Sequence, residues 1–149
     1  MTALAMSEPS RRLEFDDEPT PVVANLGGLM RGRSVVVAED TPLDEVRRLL
    51  VEYRVPAVAV VDPDGHLRGL VTRTDVIRVT QPGARAIDAM SGFVFALPAT
   101  APVEKAAALM AYEGVGQVIV TSARGTLLGM VSAIDIVRYF AVVTGELPR

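Results

Sequence analysis

Two hydrophobic periods alternate along this chain, and the same succession of them runs twice. Ser34 to Ala38 is apolar and largely β-branched, which predicts a strand. Leu43, Val46, Leu49, Leu50 and Tyr53 then recur at helical spacing. Thr41-Pro42-Leu43-Asp44 marks that helix start, with Thr41 expected as hydroxyl N-cap, Pro42 at the first helical position and an acid in the first turn. Ala57 to Val61 is an unbroken apolar run, the pattern of a buried strand. Asp62-Pro63-Asp64-Gly65 is a turn cluster, Leu67 to Val71 another strand, and Thr74 to Val79 a closing helix.

The second pass repeats the order: a strand at Phe93 to Leu97, a helical stripe through Val103, Ala106, Leu109 and Met110, then a strand at Gln117 to Thr121. A turn at Ser122 to Gly125, a strand at Leu127 to Val131 and a helix from Ile134 to Val142 complete it. One register shift superposes both passes, bringing Met30 onto Met90, Pro42 onto Pro102, Gly65 onto Gly125, Gly69 onto Gly129 and Asp75 onto Asp135. Matched apolar positions reflect shared secondary structure; matched Gly, Pro and Asp each answer a separate backbone or polar requirement. The chain is a tandem duplication of a βαββα unit, an α/β fold class. A short helix is expected before each repeat, at Pro21 to Met30 (weakened by Gly27-Gly28) and at Ala84 to Met90. The expected organisation is a flexible arm over 1–20, with Leu13 and Phe15 docking on the body, repeat 1 over 21–80, repeat 2 over 84–142 and a tail over 143–149.

The 149 residues fit one compact body in which the repeats bury apolar faces together. A hydrophobic content of 50% predicts a folded chain. The absence of cysteine excludes disulfides and thiolate chemistry and fits a reducing compartment. The net charge of −3 argues against a nucleic-acid surface. Neither a bilayer-spanning run nor a signal peptide is legible, so a cytoplasmic location without membrane attachment is expected.

The repeated chemistry lies where a strand runs into a helix: G-L-V-T-R-T-D at Gly69 to Asp75 and G-M-V-S-A-I-D at Gly129 to Asp135. Thr72 and Ser132 occupy natural N-cap positions, with Asp75 and Asp135 three residues later. One such unit alone is a helix cap. Two in one register also suit a nucleotide: free helix N–H groups and a hydroxyl for phosphate, and a carboxylate for the vicinal hydroxyls of a ribose.

With V-P-A-V-A-V-V-D-P-D-G-H-L-R-G-L-V-T-R-T-D and G-V-G-Q-V-I-V-T-S-A-R-G-T-L-L-G-M-V-S-A-I-D in this order, the chain closely resembles a tandem cystathionine-β-synthase (CBS) domain pair, or Bateman module, from about Pro21 to Phe140. The resemblance implies two repeats packed sheet to sheet with pseudo-twofold symmetry and two adenosine-binding clefts. It implies that Thr72, Arg73 and Asp75 face Phe93 to Ala96 (Phe95 and Ala96 in contact) and Val115, Gly116 and Gln117. Ser132 and Asp135 would face Val35 to Ala38 (Val36 and Val37 in contact) and Val55, Pro56 and Ala57. The clefts differ, since Arg73 aligns with Ala133 and Thr74 with Ile134. A cation hydrogen-bonded to an anionic ligand contributes about 1.5–3 kcal/mol, so polyphosphates should prefer the first cleft. Arg54, aligned with Gly114, is either a surface cation or extra charge for the second.

Other candidates are thin. His66 is the only histidine and is expected exposed on a turn, with no second ligand for a metal; Asp62 and Asp64 shape that turn. No P-loop or dinucleotide fingerprint occurs. The methionines at 30, 90, 110 and 130 read as core. Val76, Ile77, Ile136, Val137 and Tyr139 exceed one small core and suit a homodimer surface. The expected function is a regulatory module, not an enzyme, requiring no cofactor. It would take an adenine nucleotide or S-adenosylmethionine as regulatory ligand and signal to a regulated partner protein. The alternative is a ligand-free dimerisation or interaction scaffold.

Overall fold

The computed structural model describes residues 4–5, 25–30 and 34–148. These form two compact units, one from residues 4–5 and 34–94 and the other from 25–30 and 95–148. Leu13, Phe15 and most of the arm lie outside the described residues.

In the first unit a four-stranded sheet runs in the order β1 (Leu4–Ala5), β2 (Val35–Ala38), β3 (Ala57–Val61), β4 (Leu67–Thr72). β1 is a two-residue antiparallel addition, placed inside the stretch read as an arm. β2 and β3 are parallel, joined through the helix α2 (Leu43–Glu52), and β3 and β4 form an antiparallel hairpin. Ala57 to Val60 are fully buried, as an uninterrupted apolar strand requires. They pack with Leu43, Val46, Leu49 and Leu50 of α2 and with Val76 of α3 (Arg73–Arg78). The helix start falls one residue later than its composition suggests. Pro42 is the N-cap, and Thr41 precedes it with its hydroxyl buried and without a hydrogen-bond partner.

The second unit repeats this with β5 (Ala96–Pro98), α5 (Val103–Glu113), β6 (Gln117–Thr121), β7 (Leu127–Ser132) and α6 (Ala133–Val143) in a three-stranded sheet, order β5-β6-β7. β5 begins at Ala96 and not at Phe93, and upstream of it Ser91 forms an isolated antiparallel bridge with Leu70 of β4.

The short leading helices are exchanged relative to the chain order. α1 (Leu26–Leu29), ahead of repeat 1, belongs to the second unit: the Leu26 and Gly27 amides donate to the Ala101 and Ala99 carbonyls at 3.0 and 2.8 Å. α4 (Ala86–Ala89), ahead of repeat 2, belongs to the first: the Ala86 and Ile87 amides donate to Thr41 and Glu39 at 2.8 and 3.0 Å. Leu26 and Ala86 are each fully buried in the core they join. The two arrangements are related by the same register shift as the sequence repeats.

One asymmetry concerns the end of the first long helix. α5 ends on Gly114 at φ 68°, whereas the aligned position after α2 is Arg54 at φ 52°. A β-carbon in that left-handed region costs roughly 1–2 kcal/mol, which glycine avoids.

Candidate functional site

Each Thr/Ser-x-x-Asp turn forms a complete capping box. Asp75 accepts from the Thr72 amide at 2.8 Å and its hydroxyl at 2.9 Å through Oδ2, while the Asp75 amide donates back to Thr72 Oγ1 at 3.3 Å. Asp135 and Ser132 repeat these contacts at 2.8, 2.9 and 3.4 Å. The first helical amide is also engaged: Arg73 donates to the Pro56 carbonyl and Ala133 to that of Gly116. The expectation of free N–H groups therefore narrows to the second amide of each helix, at Thr74 and Ile134.

The outer oxygens differ. Asp75 Oδ1 accepts from Arg78 at 2.9 Å, and its side chain is 12% exposed. Asp135 Oδ1 stands 4.0 Å from Arg138, and its side chain is 28% exposed. In both, Oδ2 serves the cap and Oδ1 is directed to a cation or outward. Arg78 and Arg138 match across the repeats but were given no role from the sequence, although an arginine three residues after a helical aspartate is a pairing signal.

Within the first unit, Val55, Pro56 and Ala57 lead into β3 beside the motif, and Ala57 pairs directly with Thr72. Val36 and Val37 lie further up the sheet, in register with Ala59 and Val60; both are buried, and Val37 belongs to the core cluster of this unit. Within the second, Val115 and Gly116 precede Gln117, which pairs with Ser132, while Ala96 follows Phe95 and lies in register with Ile119. Arg73 and Arg54 are both exposed and line one groove of the first unit, so Arg54 shares its surroundings with Arg73.

Asp62, Asp64 and His66 hold ligand-type atoms within 4.8 Å of one another, which corrects the expectation that His66 has no second ligand nearby. The turn itself accounts for the arrangement: Asp62 Oδ1 accepts from the Asp64 and His66 amides, both at 2.9 Å. The His66 amide chiefly holds the Asp62 carboxyl below the usual carboxylate range. Of the five apolar positions read as a dimer surface, Val76 and Ile136 are buried and Tyr139 packs on the core; Ile77 and Val137 are exposed. Among the described residues, no helix is long and apolar enough to cross a membrane.

The CBS-domain family model matches the chain twice, over residues 23–81 and 84–142. The chain belongs to the CBS-domain family. Its sequence is 42% identical over 53 residues to the chloroplastic CBS domain-containing protein CBSX2 of Arabidopsis thaliana, covering 36% of this chain and 22% of that one. The chain thus spans under a quarter of that relative's length. CBSX2 solved in complex with AMP superposes with a TM-score of 0.72 at 24% identity, over 84% of this chain and 100% of the other. The cytosolic domain of the Mg2+ channel MgtE in complex with ATP gives 0.67 at 28% identity, over 77% of this CBS chain and 48% of that one. The CBS pair of MJ0100, solved with 5′-methylthioadenosine and S-adenosyl-L-methionine, gives 0.74 at 20% identity, over 84% and 99%. These likenesses establish the mixed α/β architecture of a CBS pair.

Proposed function

We propose that this CBS pair binds adenosine-containing ligands at its two capped aspartates and passes their occupancy to a partner protein. The observation that carries this reading is the doubled motif, two carboxylates that each cap their helix through Oδ2 and turn Oδ1 away from the cap, towards Arg78 in the first and Arg138 in the second. That outer oxygen suits the vicinal hydroxyls of a ribose. Thr72 and Ser132 stand towards the phosphate, with Arg73 adding charge at the first motif. Val36, Val37, Val55, Pro56, Ala57, Phe95, Ala96, Val115, Gly116 and Gln117 provide apolar backbone for an adenine. The adenosine ligands of the structurally similar CBS proteins support this assignment. Ligand occupancy acts by favouring one conformation over another; the role is regulatory and non-catalytic. Calorimetric titration with AMP, ADP, ATP and S-adenosylmethionine should give at least one Kd below millimolar; failure of all four overturns the reading.

One observation favours a second reading. Asp75 is engaged on both oxygens, by Thr72 and by Arg78, as in a purely structural cap, which fits a ligand-free interaction module. Partner binding retained in an Asp75→Asn, Asp135→Asn variant, together with four blank titrations, would establish that alternative.

We further propose a homodimer formed through α6, where Ile134, Val137 and Phe140 are exposed. Charge placed at the centre of an apolar interface is strongly unfavourable. Val137→Glu should therefore convert a dimer to a monomer in sedimentation velocity. A variant that sediments like the parent protein removes α6 from the interface.

A further inference from the structure

The two motif aspartates fill their acceptor sites differently. A carboxylate offers about four such sites, roughly two on each oxygen. On Asp75, Oδ2 takes the Thr72 amide and hydroxyl at 2.8 and 2.9 Å, and Oδ1 takes the Arg78 guanidinium at 2.9 Å. About one site is left. On Asp135, Oδ2 takes the matching pair from Ser132 at 2.8 and 2.9 Å. Its Oδ1 accepts no hydrogen bond among the described residues, and Arg138 stands 4.0 Å away, beyond hydrogen-bond reach. Both sites on that oxygen are open. The helices account for the difference. Both arginines follow their aspartate by three residues, but Arg78 is the last residue of α3, whereas Arg138 lies inside α6, which continues to Val143. Side chains of a following turn lean back over a helical residue. Arg138 is accordingly 42% exposed, while Arg78, with no such turn after it, is 66% exposed and closes on its carboxylate.

We propose that Arg78 sets the sugar specificity of the first motif: with Arg78 in place Asp75 holds one ribose hydroxyl, whereas Asp135 holds both hydroxyls of a cis-diol. The inference rests on the nucleotide reading given above and adds the class of sugar that each motif takes. A diol donating both of its protons to one carboxylate needs two open acceptor sites. Of the two aspartates, Asp135 has them. At Asp75 the second hydroxyl meets Arg78, an exposed cation that water serves equally well, so removing that hydroxyl costs little. The first motif therefore tolerates an adenosine ligand that lacks one of the vicinal hydroxyls, and the second does not.

Each motif is read alone in the full-length protein carrying Asp135→Asn or Asp75→Asn, titrated with AMP, 2′-deoxy-AMP and 3′-deoxy-AMP. With Asp135→Asn, one of the two deoxy ligands should bind within about threefold of AMP. With Asp75→Asn, both should bind at least about tenfold more weakly than AMP, the loss expected for a hydrogen bond to a charged group. Adding Arg78→Met to Asp135→Asn opens Oδ1 and should impose the same preference for AMP on the first motif. Arg78→Lys keeps a donor and should leave the tolerance in place. An arginine that merely stabilised the helix would change Tm and not this ratio. Equal selectivity at the two motifs would overturn the inference, as would a first-motif ratio unmoved by Arg78→Met; in both cases AMP still binds and the nucleotide reading stands. AMP silent in the parent protein would remove that reading and this one together. AMP binding lost in Asp135→Asn would also overturn the inference, because the first motif would then hold no ribose.

Discussion

Gly69→Ala should destabilise the protein by about 2–3 kcal/mol, a typical cost of forcing extra volume into a packed site that cannot relax. A β-carbon at Gly69 would fall 2.2 Å from the Ser91 carbonyl oxygen and 2.9 Å from its carbon. That neighbour is backbone and cannot rotate aside. It is also pinned, because Leu70 and Ser91 exchange amide-to-carbonyl bonds of 3.0 and 2.9 Å. Accommodation therefore requires breaking this bridge, which fixes the segment leaving α4. Gly92→Ala is the control, since its β-carbon would meet only the Arg68 carbonyl oxygen at 3.8 Å. Urea denaturation should show a midpoint lowered by roughly 1 M or more for Gly69→Ala and little change for Gly92→Ala. Equal midpoints for the two variants would refute the close approach.

Asp75→Asn should weaken adenine-nucleotide binding by about 10- to 100-fold, as expected for loss of a charge-assisted acceptor. Asparagine keeps one carbonyl oxygen, which can still take the Thr72 amide and hydroxyl, so the cap survives. What disappears is the charged outer oxygen that faces Arg78 and, in the proposed complex, the ribose. Alanine would confound these effects, because removing a cap costs about 0.5–2 kcal/mol by itself. The Arg78 ion pair is lost as well, but Arg78 is largely exposed, and such surface pairs contribute at most about 1 kcal/mol. Asp135→Asn should have the smaller effect on binding, because Ala133 replaces Arg73 at the phosphate end. Calorimetric titration of both variants reads this order. The reverse order would refute the asymmetry, and two unchanged isotherms would assign both carboxylates to capping alone.

Much of this organisation was legible because the chain states it twice. β3 and β6 fall at the expected residues, since a buried strand leaves an apolar run, unbroken in β3 and centred on Val118 to Val120 in β6. The capping box followed from hydroxyl and acid spacing, which is local chemistry. The start of α2 was misplaced by one residue because both Thr41 and Pro42 carry helix-start signals, and backbone geometry chose between them. The convergence of Asp62, Asp64 and His66 was missed for a related reason: only the turn's path brings three exposed side chains together. Arg54 read equally as a surface cation or as extra charge for the second cleft, because neither its positive φ nor its place beside Arg73 is visible in local sequence.

By itself, the sequence determined the duplication, the order of elements, the apolar faces and the repeated carboxylates, because each depends on neighbours a few residues away. The exchange of the leading helices was decided only in three dimensions. Leu26 and Ala86 each need a core to enter, and the two repeats offer equivalent cores to the same pattern. Local periodicity demands that such a residue be buried; only the path of the intervening chain selects the core that receives it.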